Sequence, residues 1–83
     1  MRHQEGPMDR VLLALHNLCA VNTELAKTLQ ELSQNVGIDI NQLQVLLKEL
    51  VSNGYTACFS DSAGEMRYYI TGTGIIRVCS AFT

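Results

Sequence analysis

The sequence predicts a small α+β domain: three helices, then a two-stranded β-hairpin, then a short C-terminal helix. Three observations lead there. Apolar residues recur at helical spacing in three stretches before Gly54. The second and third stretches are each framed by a capping residue in front and a glycine behind. After Gly54 the composition shifts to two runs of aromatic and β-forming residues around a turn-forming cluster.

The first helix enters at Gly6-Pro7, because proline is pre-organised for the first helical position. From Met8 to about Val21, the residues Met8, Val11, Leu12, Leu15, Leu18 and Cys19 make one apolar face. Asp9, Arg10, His16 and Asn17 lie opposite, and Leu13 falls among them. Residues 22–27 (NTELAK) either extend this helix or form a connector.

Thr28-Leu29-Gln30-Glu31 has the pattern of a capping box, in which the Thr hydroxyl and the Glu carboxylate each accept the other's backbone N–H. A second helix with Leu29, Leu32 and Val36 inward should therefore start here and stop at Gly37. Asp39 followed by Gln42 repeats the capping logic. The third helix should run from about Ile40 to Asn53, burying Leu43, Leu46, Leu47, Leu50 and Val51, with Gly54 as its stop. Together these make a helix–turn–helix over residues 28–53.

YTACFS (55–60) and MRYYIT (66–71) flank Asp61-Ser62-Ala63-Gly64-Glu65 and read as a hairpin over residues 55–71. Gly72 and Gly74 break the second strand. The last run, IIRVCSAF, has β-branched residues that suit a strand and a spacing that suits a short helix; the helix is preferred.

At 83 residues the chain should hold one domain, 7–83, behind a loose polar tail, 1–6. A domain this short buries only roughly 60% of its unfolded surface, so its core must be economical or partly covered by a partner. No apolar run reaches the roughly 18–20 residues of a membrane span, and MRHQEGP lacks the apolar core of a signal peptide, so a cytoplasmic location is expected. Cys19, Cys58 and Cys79 are odd in number and lack C-x-x-C spacing, which fits a reduced compartment and small core residues. His16 and Cys19 have a possible metal-ligand spacing, but a site would need a further ligand such as Cys58 or Cys79 brought close in space, and Cys19 in the apolar stripe suits packing better, so no metal is expected. No phosphate loop, nucleophile elbow or paired carboxylates occur; neither catalysis nor a cofactor is expected.

The order of elements, with Leu32-Ser33-Gln34-Asn35-Val36-Gly37-Ile38, Leu47-Lys48-Glu49-Leu50 leading to Asn53-Gly54-Tyr55, and Tyr69-Ile70-Thr71 with Gly74, resembles the winged-helix transcription regulators of the MarR-like and ArsR-like kind. The resemblance covers about residues 8–82. It implies a homodimer that binds double-stranded DNA, with the third helix in the major groove and the hairpin, or wing, on the backbone.

Helical geometry then puts Asn41, Gln44, Val45, Lys48 and Ser52 on the reading face. Asn and Gln can pair with adenine, and Val can contact a thymine methyl. Lys27 and Thr28 at the second helix's start, and Arg67 on the wing, would meet phosphates. Dimer contacts would come from Leu13 and Ala20 of the first helix and from Ile75, Ile76 and Phe82. The net charge of −2 cuts the other way, because phosphate neutralisation supplies much of DNA affinity. The alternative implied is a winged-helix module that binds another protein.

Overall fold

A computed structural model describes residues 6–82, with side chains through residue 80. Of the tail expected over residues 1–6, all but Gly6 lies outside the described residues, as does the side chain of Phe82. The elements run α1 (Pro7–Asn17), β1 (Lys27–Thr28), α2 (Leu29–Val36), α3 (Ile40–Ser52), β2 (Thr56–Ser60), β3 (Met66–Ile70) and α4 (Gly72–Phe82).

α1 starts on Gly6 with proline in its first turn and ends four residues earlier than its apolar pattern implied. The cause is Cys19, whose φ of 58° is left-handed and incompatible with helix. Cys19 is consequently exposed, not a core residue; Cys79 is exposed as well, and Cys58 is half-buried. Ala20 then turns inward, and its carbonyl accepts the Ile70 N–H at 2.8 Å. Residues 22–26 are a connector, with the Asn22 side chain accepting the Leu25 N–H. It ends in β1, a strand without a hydrophobic signature that adds a third member to the expected two-stranded hairpin.

The capping box at Thr28 forms in both directions. Gly37 closes α2 in the left-handed conformation, φ 72°. Across that turn the Ser33 hydroxyl donates to the Ile38 carbonyl at 2.6 Å, which explains the small residue four positions before the glycine. Asp39 caps α3 by accepting the Asn41 N–H, without the return bond from Gln42 that a full box would supply. α3 ends in a Schellman motif: Gly54 has φ 80°, its N–H reaches the Val51 carbonyl, and the Tyr55 N–H reaches that of Leu50.

The sheet is antiparallel in the order β1-β3-β2. Thr56 faces Ile70, Cys58 faces Tyr68 and Ser60 faces Met66, while Lys27 pairs with Tyr68 on the other side. The turn between β2 and β3 is tied by Asp61, whose Oδ1 accepts the N–H groups of Ala63 and Glu65. The core gathers Val11, Leu12 and Leu15 of α1, Leu32 of α2, Leu43, Leu47 and Leu50 of α3, Ile70 of β3 and Val78 of α4.

Both ends of the hairpin meet. The Thr71 N–H donates to the Tyr55 carbonyl, the Thr71 hydroxyl to the Gly54 carbonyl at 2.7 Å, and the Gly74 N–H to the Thr71 hydroxyl. A Cβ on Gly74 would collide with the Tyr55 carbonyl and lie 2.6 Å from Ile70 Cγ1, so the start of α4 is pressed against the segment between α3 and β2 and against the end of β3. Arg77 of α4 lies over the Tyr55 ring and pairs with Asp9 of α1 at 3.2 Å.

Candidate nucleic-acid interface

α3 buries Leu43, Leu47 and Leu50, and this stripe fixes which residues look outward. At 3.6 residues per turn, Val45 and Ser52 fall almost diametrically opposite the stripe, with Asn41, Lys48 and Gln44 following towards the hairpin. All five are exposed, and Val45 keeps 66% of its surface in solvent. The helix thus presents an apolar crest with two carboxamides, a hydroxyl and one ammonium around it.

The hairpin extends this surface. Met66 and Tyr68 of β3, Cys58 of β2 and Val51 of α3 join Asn41, Gln44, Val45 and Lys48 around a groove of about 530 Å³. Burial pushes the Tyr68 phenol above its usual range, so it stays neutral in the groove. Met66, Tyr68 and Cys58 were not among the expected site residues. Their alternation along β3 and β2 was visible in the sequence, but only the register shows that this face of the hairpin meets α3.

The expected phosphate contacts fare unevenly. Lys48 is exposed, and Lys27 is half-buried in β1. Thr28 is only 6% exposed, and its hydroxyl and N–H are both engaged by the Glu31 carboxylate. The donors of Thr28 itself are therefore taken by a carboxylate, and little of its side chain is left at the surface for a phosphate. That same N–H bond, with help from the Thr28 hydroxyl and the nearby Lys27 and Arg67 charges, holds the Glu31 carboxyl below its ordinary range.

Arg67 is not a free probe either. Its Nε donates to Asp61 at 2.7 Å and its guanidinium reaches the Ala26 carbonyl at 3.3 Å. The bond from Arg67 leads the causes that lower the Asp61 carboxyl. With Asp61 and Glu65 at the turn, the wing tip is close to neutral or acidic.

Among the expected dimer contacts, Ala20 is fully buried and offers no surface to a partner, because the left-handed turn at Cys19 swings it into the core. Leu13 and Ile75 are half-buried and pack partly on the core, while Ile76 is 68% exposed. Among the described residues, no three His, Cys, Asp or Glu side chains cluster as metal ligands. Among the described residues, no helix is long and apolar enough to cross a membrane.

A helix–turn–helix with an antiparallel hairpin packed beside its second helix is the winged-helix fold, and comparison with solved structures shows the same. A protein of Ralstonia eutropha JMP134, named as a candidate DNA-binding protein, superposes with a TM-score of 0.78 at 18% identity over 92% of this chain and 94% of its own. The DNA-binding TubR fragment from Clostridium botulinum gives 0.79 at 16% identity over 96% and 98%. MepR of S. aureus, solved in a complex with DNA, gives 0.70 at 16% identity over 86% of this chain and 58% of its own. No protein-family model and no curated protein sequence matches the chain.

Proposed function

We propose that this chain is a DNA-binding transcription regulator that acts as a homodimer and lays α3 in the major groove. The observation that carries the reading is the exposed, polar and apolar face of α3, Asn41 to Ser52, standing free of the core in the position that a winged helix uses to read base edges. The structural neighbours, two of them described as DNA-binding and one solved in complex with DNA, support it. Lys48 is the phosphate donor on α3, and Lys27 approaches from β1. The dimer face would be built on α4 around Ile76, with Leu13 of α1 as a second apolar contact.

Titration of a palindromic duplex at two salt concentrations tests this. With Lys27 and Lys48 as the phosphate contacts, log K should fall against log salt with a slope of about −2 per protomer, or about −4 for a dimer. Lys48→Ala should weaken binding to every sequence alike. Absence of binding at low salt ends the proposal.

A specific observation favours a second reading, a protein-binding module. Of the five described Arg and Lys residues, Arg67 and Arg77 are held in ion pairs and Arg10 is bonded to the Val36 carbonyl, while Val45 is bare. Such a surface would seat a partner's apolar side chain in the groove between α3 and the hairpin.

A further inference from the structure

We infer that the reading face is built for A·T base pairs, with thymine 5-methyl groups seated against Val45. This rests on the DNA-binding reading and specifies what that site selects.

The crest of α3 is an exposed branched apolar side chain, 66% in solvent. Leaving it there is unfavourable unless it meets an apolar group on the partner. In the major groove the thymine 5-methyl is the apolar group that base pairs display. Val45 is flanked by Asn41, one turn before it, and Gln44, its neighbour. A carboxamide offers one donor and one acceptor, which match the N6 donor and N7 acceptor of adenine. Guanine presents two acceptors and is met best by a two-donor group such as Arg.

α3 contains no Arg. The nearest guanidinium on the hairpin, that of Arg67, is committed to Asp61 and the Ala26 carbonyl. The groove beside Val45 continues the apolar character through Val51, Cys58 and Met66, giving a second methyl room to lie against protein. The groups on α3 that could favour G·C are Lys48, as a donor to guanine, and Glu49, as an acceptor from the cytosine amine. Val45 stands between them: it lines the groove with Lys48 on one flank and a depression with Pro7, Met8, Leu46 and Glu49 on the other. With Lys48 taken as the phosphate contact, Glu49 is left without a donor beside it for the guanine.

The test selects duplexes from a library with a randomised core, then compares the best duplex with the same duplex carrying deoxyuridine for thymine, which deletes only the methyl. Fluorescence anisotropy reads both. A·T steps should be enriched in each half-site, and each methyl lost from the Val45 contact should weaken wild-type binding about fourfold. Val45→Ala, at an exposed helical site that alanine suits, should bring the thymine-to-uracil ratio close to one. Enrichment of G·C pairs, or equal wild-type affinity for the two duplexes, overturns the inference and leaves DNA binding standing. Failure to bind any duplex at low salt removes both, and leaves the face to a protein partner.

Discussion

Single residues decide several local conformations here, and each can be probed alone. The reciprocal cap at Thr28 satisfies donors at the start of α2, so Thr28→Ala should cost about 1 kcal/mol in urea unfolding. Its carboxylate partner links stability to pH. The Glu31 carboxyl is lowered in the folded state from its ordinary 4.5, so its stabilising contribution is complete above that value. That contribution is lost as the pH falls through the lowered value. Glu31→Gln should therefore flatten the acid limb of a stability-versus-pH curve measured by circular dichroism. At Cys19 the left-handed backbone carries a strain of roughly 1–2 kcal/mol that glycine lacks, partly offset by glycine's greater freedom when unfolded. Cys19→Gly should raise stability by roughly 0.5–1 kcal/mol. Gly74→Ala should do the opposite, because its methyl group has no room beside the Tyr55 carbonyl, and about 1–3 kcal/mol should be lost.

At the scale of elements, the helix–turn–helix was legible in the sequence because its caps, glycine stops and apolar stripes are local signals that agree. Thr28, Gly37, Asp39 and Gly54 stand where the structure places the helix ends. β1 was not legible: two residues, Lys27 and Thr28, carry no alternation, and they form a strand only because β3 offers them a free edge. The end of α1 was hidden for a related reason, since the inward face of Leu18 to Ala20 fits a continued helix until the backbone at Cys19 is known. The pairing of Arg67 with Asp61 is likewise a tertiary fact that spacing alone does not disclose. It yields an expectation for the hairpin. Asp61→Asn keeps the acceptor oxygen that ties the turn but removes the charged partner of Arg67, leaving its guanidinium only the Ala26 carbonyl and its full charge for a phosphate. Its salt slope in duplex titration should steepen by about 0.9 per protomer.

For the molecule as a whole, charge and shape point in different directions, and the proposed dimer would reconcile them. On the DNA-binding reading, the described residues of one protomer bring few unpaired cations to α3, so two copies would be needed for useful affinity. Sedimentation should find a dimer, and Ile76→Asp, at a site with no core contact to lose, should give monomers that bind duplex DNA far more weakly. The joint where Thr71 and Gly74 clasp Gly54 and Tyr55 acquires a meaning at this scale. It ties the segment just after α3 to the first turn of α4. In the proposed dimer, a tilt of α4, the element proposed to touch the second copy, would pass through this joint towards α3. The spacing of the two α3 helices would then follow the packing of the C-terminal helices, and a change in that packing would retune the distance between half-sites.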